Sequence, residues 1–210
     1  MKKILFTGFD PFGGETDNPS IMAVKSLPMQ IDGVQIIKAE IPTVFGKSIG
    51  RLRDILEEEK PCALICVGQA GGRASITLER IAINCEDTFM PDNEGNKPSN
   101  QKIVKDGPDA YFVTLPIVTM LKDLIEAGIP VSISNSAGTF VCNHLIYGAL
   151  HYAFTNKIPL QAGFVHIPYI PRQSVNRPNV PSMALELVVE GLALMVKTLI
   201  HSPAFTEQKR

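Results

Sequence analysis

A chain of 210 residues can bury one substantial core, and it suits a single α/β domain spanning 1–210. Its 45% apolar and 20% charged residues are ordinary globular proportions that argue against wholesale disorder. A formal net charge of −1 with no long Lys/Arg run argues against nucleic acid as the main partner. Charges punctuate the apolar stretches, even 185–200, so no membrane span is expected.

Taken in order, the chain opens on Lys2, Lys3 and a short apolar run that superficially resembles an export signal. That run soon meets Gly8 and Asp10, so export is not expected. A strand over 4–7 leads into Gly8-Phe9-Asp10-Pro11-Phe12-Gly13-Gly14, followed by a helix over 20–26, a strand over 34–39 and a helix over 46–59. Gly46-Lys47-Ser48 matches only the end of a P-loop, because Ile41 stands where the leading Gly is required. A strand over 63–67 runs into Gly68-Gln69-Ala70-Gly71-Gly72, which lacks dinucleotide spacing, so nucleotide binding is not expected either.

A further strand is read over 76–84, bearing Thr77, Glu79, Arg80 and Asn84 among apolar residues. Residues 91–100 form a loop longer than usual, either a lid or a mobile insertion. A helix over 115–127, a strand over 131–134 and a helix over 141–154 follow. A strand over 163–165 then enters His166-Ile167-Pro168-Tyr169-Ile170-Pro171, and a last helix covers 182–200. Residues 203–210 are expected to fray. Strands alternating with helices imply a largely parallel sheet covered on both faces. Right-handed crossovers then bring the loops after 4–7, 63–67, 131–134 and 163–165 to one edge, where such sheets bind ligands.

The four cysteines show no CxxC pair and no metal-like spacing, so they read as thiols in a reducing cytoplasm. Cys62, Cys66 and Cys85 lie in or beside apolar runs and read as inert core. Cys142 differs: it follows a strand and a turn at Gly138, and it opens a helix. There, free N–H groups and the helix dipole favour an anion, and a thiol can fall from about 8.5 to roughly 3.5–7.5 in pKa. A reactive, depressed thiol is the expectation. Among the histidines, His144 sits two residues on and points elsewhere, while His151 and His201 lie on helices away from the edge. His166 alone ends a strand at that edge and is the best base. The orienting acid stays open among Asp10, Glu15, Glu79, Glu86 and Asp87. On pattern alone Glu79, inside an apolar strand, reads as a structural ion pair with Arg73 or Arg80.

Four blocks carry a resemblance. They are Gly8-Phe9-Asp10-Pro11-Phe12-Gly13; Gly68-Gln69-Ala70-Gly71-Gly72-Arg73 with Glu79-Arg80-Ile81-Ala82-Ile83-Asn84; Ala137-Gly138-Thr139-Phe140-Val141-Cys142-Asn143-His144; and His166-Ile167-Pro168-Tyr169. Together, in order from about residue 4 to about 171, the chain resembles the pyroglutamyl peptidase I family, also called pyrrolidone-carboxylate peptidases, which are cysteine peptidases. The resemblance implies a three-layer αβα sandwich with a mostly parallel, partly mixed twisted sheet. It also implies a cytoplasmic homotetramer with no cofactor and no metal.

Its implied roles are Cys142 as nucleophile, His166 as base and Glu79 as the acid that orients His166. Phe9, Phe12, Asn18, Thr43, Gln69, Phe140 and Val141 would form the pocket. The implied substrates are peptides with an N-terminal pyroglutamyl residue, cleaved through a thioester. One departure is visible: Phe89 stands where the family often has Arg. Two alternatives remain beside this reading. One is a glutaminase-like amidase using the same triad; the other is a small-ligand-binding α/β module in which Cys142 is structural.

Overall fold

Near-continuous apolar runs such as Leu64-Ile65-Cys66-Val67 can be satisfied only when both faces of a strand are covered, and that requirement sets the layering. The computed structural model describes residues 1–207. In it, β1 (Lys3–Phe9), β3 (Val34–Ile41), β4 (Ala63–Gln69) and β9 (Gln161–Ile167) run parallel. β2 (Gln30–Ile31) adds an antiparallel rim to β3. β5 (Ile76–Glu79) lies antiparallel to β9, and β8 (Val131–Ser134) lies parallel to β5. The order across the seven strands is β2-β3-β1-β4-β9-β5-β8.

Helices α1 (Pro19–Ser26), α3 (Ile117–Glu126) and α6 (Leu185–Ile200) cover one face, packing on Ile4, Phe6, Ile65, Val67, Leu78 and Val165. Helices α2 (Lys47–Glu59) and α4 (Val141–Thr155) cover the other, on Leu5, Leu64, Cys66 and Phe164. The expected αβα sandwich with a partly mixed sheet is what the chain forms. Short helices α5 (Pro171–Ser174) and α7 (Pro203–Thr206) complete it.

Four expectations need correction. The strand read over 76–84 breaks at Arg80, whose N–H still donates to Ser134 O at 2.8 Å. Beyond it, β6 (Ile81–Ile83) leaves the main sheet and pairs antiparallel with β7 (Ala110–Phe112). The delivery of Cys142 also differs. Because β8 opposes β9, its carboxyl end points away from the edge where β1, β4 and β9 finish. The connection to α4 must turn back, with Gly138 at φ +81°, a conformation that few side-chain-bearing residues adopt. Thr139 secures that return by donating its hydroxyl to Asp87 O at 2.6 Å.

The loop over 91–100 is pinned rather than a mobile insertion. The Asp92 carboxylate accepts N–H groups from Phe45, Glu94 and Asn96 at 2.8–2.9 Å. Residues 203–206 do not fray, since α7 buries Phe205 and Lys2 Nζ lies 4.7 Å from that ring's centroid. Glu207 caps α7 with its N–H on Pro203 O, and 208–210 lie outside the described residues.

The residue after the cysteine fastens α4 to β6. Asn143 is fully buried; its Oδ1 accepts the Ile83 N–H at 2.9 Å, and its Nδ2 donates to Ile83 O at 2.9 Å and Cys85 O at 3.1 Å. It acts as a one-residue strand partner. Asn143→Ala leaves the part-buried Ile83 N–H and Cys85 O without that partner, while Ile83 O keeps the Cys85 N–H at 2.9 Å, so it is expected to lower the unfolding free energy by about 2–3 kcal/mol. Chemical denaturation would show this, and an unchanged midpoint with an unchanged m-value would contradict it.

Candidate active site

Strand register decides which side chains can meet. Gly68 and Thr77 both lie opposite His166, and Glu79 lies opposite Phe164. Directly paired residues share a face, so Gly68, His166, Phe164, Thr77 and Glu79 all face α4. Glu79 is then the diagonal neighbour of His166, close enough for contact: its Oε1 lies 2.7 Å from His166 Nδ1. The acid left open by the sequence is therefore in place as the partner of His166. The ion-pair reading holds as well, because Arg73 Nη1 donates to the same Oε1 at 2.6 Å. Arg80 instead donates to Asn135 Oδ1 at 2.9 Å.

Cys142 comes to this face from α4. A Cβ added at Gly68 would lie 2.7 Å from the Phe164 ring and 3.0 Å from Cys142 Sγ. Only glycine leaves the thiol and that ring their space. Cys142 occupies the second position of α4, after Phe140 as N-cap residue, and the first bond back into the helix runs from His144 N to Phe140 O at 3.1 Å. The N–H groups of Val141, Cys142 and Asn143 precede it and have no partner in the helix.

Cys142 and His166 line one cavity of about 350 Å³. All seven residues expected in the pocket line it too: Phe9, Phe12, Asn18, Thr43, Gln69, Phe140 and Val141. The four loops thus do converge, three from the edge of parallel strands and one by the return after β8. Phe140 packs 6.2 Å from Phe12 and edge-on to Phe45 at 5.6 Å, and Phe164 lies 6.3 Å from Phe9, giving the cavity aromatic walls. Asn18 has its amide already in use: Nδ2 donates to Asp10 O, and Oδ1 caps α1 at Ser20 N. Gln69 Oε1 accepts from Gln173 Nε2 at 2.9 Å, which leaves the Gln69 amino group as a free donor.

The other histidines are engaged elsewhere. His144 is buried, with Nδ1 2.5 Å from Glu86 Oε1 and Nε2 accepting the Gly46 N–H at 2.9 Å, so both ring nitrogens are occupied. His151 Nδ1 lies 2.9 Å from the Tyr111 hydroxyl, and exposed His201 bonds Lys197 O. His166 Nε2 makes no hydrogen bond with the described residues.

Electrostatics correct one expectation. Burial pushes the Cys142 thiol up, to about 12, and the nearby Glu79 carboxylate adds to this against a smaller downward pull from Arg73. These influences favour the protonated thiol rather than the depressed thiolate expected from the helix terminus. Burial also lowers the His166 pKa, partly offset by the hydrogen bond and charge of Glu79. For Glu79 itself, burial acts upward. The His166 hydrogen bond and charge and the Arg73 guanidinium together outweigh it and hold the carboxyl below its ordinary value, while the neighbouring Ser134 hydroxyl donates to Ser136 O at 3.0 Å. An ionised Glu79 fixes the proton of neutral His166 on Nδ1 and leaves the Nε2 lone pair toward the cavity.

Fold and site together define an αβα enzyme with cysteine, histidine and glutamate gathered at one edge of the sheet. The chain belongs to the pyroglutamyl peptidase family, whose model matches residues 2–202. It is similar to the pyrrolidone-carboxylate peptidase of Clostridium perfringens strain 13, with 52% identity over 198 residues, covering 94% of this chain and 93% of that protein. It also resembles the crystal structure of Bacillus amyloliquefaciens pyroglutamyl peptidase I at 45% identity and TM-score 0.91, covering 96% of this chain and 98% of that one. Pyrrolidone carboxyl peptidase from Thermococcus litoralis matches at 41% identity and TM-score 0.92, over 95% of this chain and 94% of that one.

Several contributors escaped the sequence reading as site residues. Thr88, Met90 and Tyr169 also line the cavity, while Phe89 between the first two is 99% exposed. Gln173, one turn into the proline-bounded segment after His166, had no signal beyond its place in that loop.

The two shifted groups set the acid stability. His166 is held neutral, so its contribution is complete above its ordinary value of 6.5 and is lost as pH falls through its lower folded value. Glu79 behaves likewise below its ordinary 4.5. Unfolding free energy is therefore expected to fall as pH drops below 6.5, and His166→Gln should flatten the upper part of that decline. Denaturation midpoints between pH 4 and 8 would show it; identical slopes in the two proteins would remove His166 as a cause.

Proposed function

We propose that this chain is a cysteine exopeptidase that hydrolyses the amide bond after an N-terminal pyroglutamyl residue, through a thioester acyl-enzyme. One observation carries the reading: Cys142 and His166 share a cavity with no Asp, Glu, Lys or Arg among its lining residues. A buried ionic group without a partner is costly, whereas a neutral lactam is suited to aromatic walls and a few neutral hydrogen-bonding groups. The glutaminase-like alternative needs an acid for a substrate α-ammonium, and none lines this cavity. The structural-cysteine alternative leaves unexplained the glycine floor at Gly68 and the unpartnered His166 Nε2.

On this reading, His166 Nε2 takes the Cys142 proton as Sγ attacks the pyroglutamyl carbonyl carbon. The oxyanion develops beside the free N–H groups at the start of α4; such donors are often worth about 10²–10³ in rate each. The tetrahedral species collapses as the imidazolium protonates the leaving amine. Water, deprotonated by His166, then attacks the thioester, releasing pyroglutamate and restoring the thiol. Gln69, Thr43 and backbone groups remain to hydrogen-bond the lactam, since the Asn18 amide is occupied within its own loop. Four free thiols suit a reducing cytoplasm. The homotetramer carried over from the family has candidate contact surface in Phe112 and Phe154, 69% and 70% exposed.

The deciding experiment is hydrolysis of a pyroglutamyl-linked fluorogenic amide by the wild type and by Cys142→Ala. The variant is expected to keep a native circular dichroism spectrum and lose turnover; near-wild-type activity in it would remove Cys142 from the mechanism. His166→Ala should lose about 10²–10⁴ in rate, with Glu79→Gln retaining more because an amide can still orient the ring.

Specificity provides a separate check. Proline shares the ring but brings a charged secondary amine and lacks the lactam carbonyl. A site built around substrate hydrogen-bonding groups can reject an analogue lacking them by about 10⁴–10⁵, and a strong preference for the pyroglutamyl over the prolyl amide in kcat/KM is expected. Comparable values would favour a general aminopeptidase.

A further inference from the structure

The Glu79 carboxylate has two partners, and both use one oxygen. His166 Nδ1 at 2.7 Å and Arg73 Nη1 at 2.6 Å converge on Oε1, while Oε2 is buried with no hydrogen-bond partner among the described residues. An Arg–carboxylate pair serving stability alone gains most from two parallel bonds, which also satisfy both oxygens. Here the fork is not used that way. The guanidinium is instead applied to the oxygen that receives the catalytic imidazole. Arg73 itself is about one-third exposed, at 34% of its side chain, whereas Glu79 is fully buried. Its positive charge therefore reaches from the loop after β4 into the sheet without itself being entombed.

We propose that Arg73 is a positioning residue of the triad: by holding Glu79 Oε1 it fixes the orientation of His166 and keeps that imidazole neutral, ready to take the cysteine proton. This rests on the peptidase reading for its catalytic meaning, though not for its structural content. The consequence follows from where charge lies. Alone, a buried carboxylate bonded to an imidazole draws a second proton onto the ring, because an ion pair is the cheapest way to satisfy a buried charge. With Arg73 already on the same oxygen, Glu79 is partly neutralised and that pull is weakened.

The charge of Arg73 acts in the same direction on both members of the reacting pair, lowering the His166 and the Cys142 values. The titratable groups about His166 are Glu79 from β5, Arg73 from the glycine loop, Cys142 from α4, Cys66 from β4 and Tyr169 across the cavity. Of these, Arg73 alone is cationic.

The test uses the pH profile of kcat/KM on the fluorogenic amide, together with an NMR titration of the His166 ring identified with His166→Gln. Arg73→Gln is expected to move the acid limb of the profile to higher pH. Its kcat/KM should be lower on the order of fivefold to tenfold near pH 5.5, recovering toward wild type near pH 8. The ring titration should move the same way, and Arg73→Lys, which keeps the charge, should restore most of both. Arg73→Met serves as a second neutral variant.

The proposal is overturned if folded Arg73→Gln leaves limb and titration in place, if Arg73→Lys behaves like Arg73→Gln, or if both neutral variants unfold, which would make Arg73 a fold residue. Should the wild type fail to cleave the pyroglutamyl amide, the function reading falls, and the ring titration still decides the role of Arg73.

Discussion

A carboxylate with no solvent exposure sits in the sheet at Glu79, and the surrounding chain is organised around keeping it charged. Desolvation alone would drive a proton onto it. What prevents this is assembled from elements distant in sequence: Arg73 from the loop after β4 and His166 near the end of β9. Removing either alters the charge balance of the rest. The reversal of β5 against β9 is part of the same arrangement. It lets a strand enter beside His166 and present Glu79 two residues further on, diagonal to the ring, where its carboxylate reaches Nδ1.

The chain contains two His–carboxylate pairs on the α4 side, and they differ in whether the second ring nitrogen is left free. His144 with Glu86 has the shorter contact, yet its Nε2 accepts the Gly46 N–H and ties α4 to the start of α2. That ring is full. His166 with Glu79 has the same half of the arrangement but keeps Nε2 free on the wall of a cavity shared with a thiol. A histidine that acts as a base needs a lone pair facing a reactant, so occupancy of the second nitrogen separates the two roles more cleanly than distance or burial.

How much of this was legible depended on the range over which each feature is encoded. Periodicity and turn chemistry are local, so the main strands and the helices over 20–26, 46–59, 115–127 and 141–154 were readable to within a few residues. The turn before Cys142 and the proline-fixed loop after His166 marked the two residues most worth attention. The break at Arg80 was read through, because apolar residues flank it on both sides and only pairing partners decide where the chain leaves the sheet, although two polar residues fall together at Glu79-Arg80. Strand direction was likewise hidden, so the loops were expected to converge for a reason that fails at β8.

The partner of Glu79 was a question of distance across strands. Pattern offered an ion pair and family resemblance offered a histidine, and the structure contains both on one oxygen. Asn143 and Asp92 read as ordinary polar residues because their importance lies in which backbone groups they satisfy, and no spacing rule records that. The thiol's upward shift was missed for a related reason. A helix N-terminus is visible in sequence, but the burial and the Glu79 charge that push the thiol up come from other parts of the chain.

That shift bears on how such a site would work. With the thiol pushed up to about 12 and the imidazole held below its ordinary 6.5, both shifts disfavour a resting thiolate–imidazolium pair. Stored charge on sulfur is thus not how this cavity would promote attack. Negative charge is poorly accommodated at Sγ, between an aromatic ring and a carboxylate. It is well accommodated a bond or two away, where the N–H groups of Val141, Cys142 and Asn143 have no helical partner. On the proposed mechanism, as Sγ bonded to the acyl carbon the charge would move to the carbonyl oxygen and meet those donors, while His166 would hold the displaced proton against Glu79. Stabilisation of that kind exists only once the bond is forming, so it lowers the barrier without stabilising the free enzyme. On that reading a half-buried thiol and an unfilled helix terminus are two halves of one device.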